Sequence, residues 1–173
     1  MKTLMVISEA PPITSGVSRV AEKLTQGLER RGHHVDVLSL QDVPRWEWGE
    51  VRISSMPLKL RQIKDRLLDY DLIHLHGPVP TFSDVFLLWG LRGLGAERPQ
   101  LVYTHHAPVD LRTLPFRPFV ALYNGFQERL ARLADHVVAS TPTYARRLAR
   151  FVPDEKLSVI PWGVDYAKFV GPV

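Results

Sequence analysis

Apolar positions along the chain switch between two periods, and the switching predicts the order of its elements. Thr3 to Ser8 is a short, continuous apolar run, the pattern of a strand buried on both faces of a sheet. Val17, Val20, Ala21, Leu24 and Leu28 then recur at helical spacing, and Gly32 stands where a helix C-cap belongs. His34 to Leu40 predicts a second strand and Val51 to Ser54 a weaker third, after a loop carrying Trp46 and Trp48. Leu60, Ile63, Leu67 and Leu68 make an amphipathic helix whose other face holds Lys59, Arg61, Lys64 and Arg66. Leu72 to His76 is a strand ending at Gly77-Pro78. Thr81, with Asp84 three residues on, has the form of a capping box and opens a helix from Phe82 to Leu94. That helix is apolar nearly all round, which predicts deep burial or a partner pressed against it.

The second half continues the alternation. Leu101 to His105 is a strand. Phe119, Leu122, Tyr123, Phe126, Leu130 and Leu133 lie on one face of a helix that Pro118 opens in its first turn. Val137 to Ser140, a helix from Thr143 to Phe151, and the strand Leu157 to Ile160 complete the series. Seven strands alternating with five main helices predict a doubly wound, mainly parallel, Rossmann-like α/β sheet with its first strand central. Ligands on such sheets bind outside the carboxyl ends of the strands.

Length and composition narrow the classes. At 173 residues this is one domain able to bury a core, and 45% apolar with 23% charged residues is ordinary for a globular chain. The net charge of +4 is a modest excess, carried mainly by arginine. Most of it is expected to solvate outer helix faces, with some available to phosphate or an anionic membrane surface, and no nucleic-acid partner is expected. Cysteine is absent, which excludes disulfides and thiolate metal sites and suits a cytoplasmic protein. The first apolar run is too short for a signal peptide and is interrupted by Glu9, and no run approaches the ~20 residues of a membrane span. The expectation is a soluble or peripheral protein, with no internal repeat.

The candidate chemistry sits where strands end. A strand delivers the chain to Ser15-Gly16 and a helix begins at Val17, so free N–H groups and a partial positive charge would favour phosphate there. Gly16 lets a ligand approach the backbone closely. A serine cap alone would explain the same residues equally well. A dinucleotide fingerprint needs three glycines in G-x-G-x-x-G spacing, and only Gly16 precedes Gly27. Asp42 could imitate a ribose-binding acid, but without those glycines nicotinamide binding is disfavoured. His74 and His76 lie on one face of a strand, and no third ligand is visible from spacing, so a metal site is discounted and His74 reads as a core histidine. His105 and His106 leave the next strand at a Pro loop, where a histidine is well placed for chemistry. Ser140 ends a strand at the same edge, or caps the helix after Thr141-Pro142.

Taken in order, these segments resemble the N-terminal half of a retaining GT-B glycosyltransferase of family 4. The likeness is carried by Pro11-Pro12-Ile13-Thr14-Ser15-Gly16-Val17, by Asp71-Leu72-Ile73-His74-Leu75-His76-Gly77, by Tyr103-Thr104-His105-His106-Ala107-Pro108, by Arg132 through Ser140, and by Val159-Ile160-Pro161-Trp162-Gly163-Val164-Asp165 with Phe169 beyond. It covers the whole chain. In the family the first loop commonly carries Gly-Gly, where this chain has Ser15-Gly16; the hinge carries Ile-Pro-Asn-Gly-Val-Asp, where this chain has Trp162 for the asparagine. His33 matches the family's Gly-His entry to the second strand and reads as structural.

The resemblance implies transfer of a hexosyl group from a nucleotide-sugar to a glycan or lipid-linked acceptor, with retention at the anomeric carbon and without a metal or other cofactor. It implies that His106 points at the donor sugar as the catalytic histidine, that Ser15 and Gly16 form the donor-phosphate and acceptor loop, and that His76, His105 and Ser140 border the acceptor cleft. It further implies a domain over residues 1–166 and a hinge over 167–173. That hinge would lead to a C-terminal donor-binding domain, or its role would fall to a separate donor subunit. The alternatives are a non-catalytic acceptor-binding subunit working with a donor chain, and a peripheral membrane module using the Lys59–Arg66 face on the inner face of the membrane.

Overall fold

A computed structural model of the chain describes residues 1–13, 15–48, 51–110 and 117–163. Eight strands and five α-helices run through these residues: β1 (Lys2–Ile7), α1 (Gly16–Glu29), β2 (His34–Ser39), β3 (Arg45–Trp48), β4 (Val51–Ser54), α2 (Met56–Ile63), β5 (Leu72–Gly77), α3 (Ser83–Val85), β6 (Gln100–His105), α4 (Arg117–Leu130), β7 (His136–Ala139), α5 (Pro142–Leu148) and β8 (Leu157–Val159). Six strands form one parallel sheet in the order β2-β1-β5-β6-β7-β8. The expected doubly wound, Rossmann-like α/β class is what the chain adopts.

The sheet differs from expectation in two respects. β1 is paired on both sides, to β2 and β5, but stands second from an edge; β5 and β6 are the middle pair. The segment Val51–Ser54 is a strand, yet it pairs antiparallel with Arg45–Trp48 in a separate ribbon and never joins the main sheet. Trp46 and the tryptophan-bearing loop are therefore half of a hairpin.

Two cores sandwich the sheet. On one face Met5, Ile7, Ala21 and Val35, with Leu24 and Leu28, pack α1 over β1 and β2. On the other, Val6, Leu38, Met56, Leu60, Leu67, Ile73, Phe86, Leu130 and Leu148 join α2 to α5. Helix α1 ends as its glycine predicts. Gly32 has a φ of +80°, and the amides of Gly32 and His33 return to the carbonyls of Glu29 and Leu28, the paired bonds of a Schellman motif.

The apolar segment after β5 departs from a plain helix. Thr81 does not cap it: its φ is +62°, and its hydroxyl accepts the Ser54 amide at 2.9 Å while its carbonyl accepts the Ser54 hydroxyl, stitching the hairpin to this turn. One turn of α-helix (Ser83–Val85) then widens into a π turn over Phe86–Gly90. Phe82 and Phe86 are fully buried as expected, whereas Trp89 is 47% exposed.

Helix α4 reverses what its periodicity suggests. An amphipathic helix ordinarily buries its apolar stripe. Here Phe119, Leu122, Phe126 and Leu133 are 66%, 74%, 45% and 44% exposed, while Asn124, Gln127 and Glu128 face the sheet. Asn124 clasps the backbone of Val109 with two hydrogen bonds of 2.9 and 2.8 Å. Gln127 donates to the buried Tyr103 hydroxyl, and the Glu128 carboxylate pairs with Arg147 of α5. Leu130, of the predicted stripe, and Val120 are nevertheless buried, so hydrogen bonding and apolar burial together set the rotation of this helix.

Candidate active site

Parallel pairing gathers the site. Met5 pairs with His74, His76 with Thr104 and Gly77 with His105, so alternate residues of β1, β5 and β6 rise on the same face toward the carboxyl edge. His74, His76 and His106 line up there. The rings of His74 and His76 are 4.4 Å apart, those of His76 and His106 stack at 5.1 Å, and Trp162 lies nearly parallel over His106 at 4.9 Å.

The contacts favour one arrangement of protons in this row. Nε2 of His76 lies 3.0 Å from the Met5 sulfur, which can only accept, and in the tautomer that makes this contact a hydrogen bond the proton is on Nε2. Nδ1 of His76 is then an acceptor, and its partner at 2.8 Å, Nε2 of His106, must be the donor. The ring of His106 is left with Nδ1 as a lone-pair acceptor. Its backbone is held equally firmly: its amide donates to the Gly77 carbonyl at 2.9 Å, and its carbonyl accepts the Ser140 hydroxyl at 2.8 Å.

Burial keeps the row neutral. It lowers the pKa of His106 from 6.5 to about 4, and with the neighbouring His106 it takes His74 to about 4. Burial, then the neighbouring histidines, push His76 well below its ordinary value. His74 is satisfied by the Thr104 hydroxyl at 2.7 Å, in keeping with a core histidine. Among the described residues no group of three or more His, Asp or Glu side chains is placed to hold a metal ion.

The other expected positions separate into distinct roles. Ser140 is 5% exposed and does not cap α5; Thr141 does, accepting the Tyr144 amide at 3.2 Å. His105 points to the opposite face from His106. It is 2% exposed, edge-on to Tyr103 and Tyr144, and its Nδ1 has no hydrogen-bond partner among the described residues. Ser15 caps α1 in full: its hydroxyl accepts the Ser18 amide at 3.1 Å, and its own amide donates to the Ser18 hydroxyl at 2.7 Å. Gly16 has open space where a Cβ would stand and is not in the left-handed region, so nothing in the fold of the described residues requires glycine here. Asp42 is occupied locally, accepting from the amide and hydroxyl of Ser39.

Sequence reasoning missed three participants: the Met5 sulfur, Thr104, and Trp162 as a ring over His106. The first two become visible only through strand register. A hollow of about 630 Å³, lined by Pro108, Asp110, Asn124, Tyr144 and Arg147, opens beside the loop that follows His106. It carries no sequence motif. The boundary at 166 and the hinge residues from Val164 onward lie outside the described residues.

The chain is similar to known proteins. An O-antigen chain mannosyltransferase C from Escherichia coli is 31% identical over 95% of this chain. Two solved structures superpose on it at low identity and so speak to the fold. An alpha-glucosyltransferase in complex with UDP and a 13-mer DNA containing a central A:G mismatch matches at TM-score 0.56, with 11% identity over 92% of this chain and 40% of its own. The catalytic domain of Starch Synthase IV from Arabidopsis thaliana bound to ADP and acarbose matches at TM-score 0.57, with 14% identity over 96% of this chain and 52% of its own. The chain spans about half the length of these proteins, 46% in the case of the mannosyltransferase. A sequence model of Glycosyltransferase Family 4 matches residues 14–168, every strand of the main sheet but β1 and the whole of the histidine row, and the chain belongs to that family.

Proposed function

We propose that this chain is the acceptor-side half of a retaining glycosyltransferase that moves a hexosyl group from a nucleotide-sugar to a glycan or lipid-linked acceptor. The observation that carries the reading is the orientation of His106. A neutral imidazole, locked through His76 to Met5, offers its Nδ1 lone pair at the carboxyl edge of the sheet. Such a group accepts a hydrogen bond from a sugar hydroxyl and, with its pKa near 4, does not act as a general acid at neutral pH.

In this reading Trp162 supplies a flat apolar wall beside the ring, and the first amides of α1, after Ser15 and Gly16, favour the donor's phosphate through the helix dipole. The hollow between the loop after His106, α4 and α5 receives the acceptor, whose hydroxyls meet Asp110, Asn124, Tyr144 and Arg147. Attack occurs on the face from which the nucleotide leaves, so no protein nucleophile is assigned. A second domain or chain supplies the base pocket and the cations that hold the diphosphate, and no metal is invoked. The names of the similar mannosyltransferase and starch synthase support the reaction class.

The test uses the enzyme completed by its donor half. His106→Ala is expected to lower turnover more than ~10-fold, roughly the loss of one transition-state hydrogen bond, with a modest fall in melting temperature because Nδ1 of the buried His76 loses its partner. Intact turnover with a large fall in melting temperature would make His106 a structural histidine. The 173-residue chain by itself, offered a panel of radiolabelled nucleotide-sugars with lipid and glycan acceptors, should transfer nothing.

A further inference from the structure

The last described segment returns to the site from the edge of the sheet. The Ile160 amide donates to the Ala139 carbonyl at 3.0 Å, which ties the chain leaving β8 to the end of β7. Two residues on, the Trp162 ring lies over His106, with centroids 4.9 Å apart and planes 25° from parallel. His106 follows β6, and β7 stands between β6 and β8. Residues 160–162 therefore cross the carboxyl end of β7 to set an indole on this imidazole.

Core packing does not explain the placement. Trp162 joins neither apolar cluster, keeps 37% of its surface exposed, and follows Val159 and Ile160, which are both exposed. The indole covers a ring whose other ties leave it a way out. Gly77 and Ser140 hold the amide and carbonyl of His106, which fixes only its backbone. The ring is held through its bond to His76, and a half-buried imidazole can trade one such bond for water by turning about its side-chain torsions. A stacked indole fills the space that the turn needs and keeps water from the face it covers.

The indole acts on the His106 proton in two opposed ways. Its π face attracts an imidazolium, which at a half-exposed site raises a pKa by about half a unit. Excluded water acts the other way and more strongly, since burial lowers this histidine from 6.5 to about 4. The titratable groups coupled to the ring among the described residues are the other histidines, His74 and His76 of β5 and His105 of β6.

We propose that Trp162 is the positioning residue of His106: it roofs the imidazole, keeps Nε2 on His76 and leaves Nδ1 directed at the carboxyl edge. Because the indole stands three residues past β8, its hold depends on the path of the chain that leaves the sheet. The consequence for sugar transfer rests on the glycosyltransferase reading, in which this segment leads to the donor half, so that a movement of that half seats or releases His106. The hold itself does not rest on that reading.

The experiment is proton and nitrogen NMR of the histidine rings of the 173-residue chain through an acid titration. The unsubstituted chain is expected to show nuclear Overhauser contacts between the Trp162 indole and the His106 ring, with Nδ1 unprotonated. Trp162→Ala should raise the His106 pKa by about one unit from its value near 4 and mix the two ring tautomers. Trp162→Phe, which keeps a flat ring, should restore both. In the enzyme completed by its donor half, the acid limb of the pH–rate profile should move up by the same unit in Trp162→Ala and return in Trp162→Phe. A lowered melting temperature with the His106 signals in place would make Trp162 a structural residue only and overturn the proposal. So would missing Overhauser contacts in the unsubstituted chain, or a His106 pKa that falls in Trp162→Ala. The ring signals are read without sugar transfer, so expected signals in an enzyme that transfers nothing would count against the glycosyltransferase reading alone.

Discussion

The two edges of the sheet hold their strands together by opposite means. Where the strands begin, carboxylates take the hydrogen bonds. The Asp71 carboxylate accepts the Lys2 amide at 2.6 Å, and Asp36 takes the Tyr70 hydroxyl at 2.9 Å. Asp135 grips Arg98 with two bonds of 2.7 Å while also accepting the Leu101 amide. Where the strands end, neutral rings stack and pass single hydrogen bonds between them. The charged edge has carboxylates held below their usual range, Asp36 by its Tyr70 hydrogen bond and Asp135 by Arg98. The neutral edge has histidines lowered by burial. A charged edge binds strands but would bind any counter-ion indiscriminately. An edge of neutral acceptors suits a ligand read by its hydroxyls.

The contrast makes the edges titrate in separate windows, and the largest expected effect lies there. A histidine whose folded pKa is depressed takes up its proton first in the unfolded chain, so its contribution is whole above pH 6.5 and declines as the pH falls toward 4. His74, His76, His105 and His106 all act in this direction. The depressed carboxylates keep their contribution until the pH drops below their ordinary value of 3.8. Urea unfolding from pH 7.5 downward should therefore show stability falling steeply between 6.5 and 4, before the Asp36 and Asp135 carboxylates protonate. A flat curve across that interval would erase the distinction between the edges.

Asp135→Ala comes next in size. It removes the partner of Arg98 and the acceptor of the Leu101 amide together, and about 2 kcal/mol should be lost at pH 7. The urea midpoint should fall with an unchanged slope, and the histidine window should stay where it was. A shift of that window would mean that the edges are coupled through the sheet. Ser140→Ala is the smallest. Its hydroxyl holds only the His106 carbonyl, so about 1 kcal/mol or less is expected from the same unfolding curves. A larger loss would make Ser140 a structural pillar of the neutral edge.

How much of this was legible in the sequence follows from what each signal measures. Strand and helix order was readable because apolar periodicity reports burial directly, as in the continuous run of β1. The Gly32 cap was readable because its backbone needs φ above zero. Strand order beyond chain adjacency was not, and with it went the place of β1 and the hairpin of β4. Thr81 showed a capping pattern, but the Ser54 amide, distant in sequence, took its hydroxyl. Helix α4 misled for a physical reason: its buried face is held by Asn124, Gln127 and Glu128, whose partners cannot be inferred from spacing. At the site His76, His106 and Ser140 were singled out by their position at strand ends, and they converge. His105 was given the acceptor cleft beside His106, although alternation along a strand places the two on opposite faces. Met5 carried no signal at all; a methionine in an apolar strand reads as core until the parallel register brings its sulfur to His76.

The strand order also governs how the chain comes together in time. β1 is made before every other strand of this sheet, yet one of its two partners, β5, begins around Asp71, which ends up hydrogen-bonded to Lys2 across a separation of 69 residues. During synthesis β1 can pair with β2 as soon as residues 34–39 emerge, while its other edge waits for the ribbon, α2 and the turn before β5. Contacts that distant in sequence slow folding, and an open apolar strand edge is a template for pairing with the wrong chain. The later strands face no such delay: β5, β6, β7 and β8 each add beside the one before. For this sheet, the interval when β1 is complete and β5 has not yet been made is the one in which an inner strand stands with an open edge.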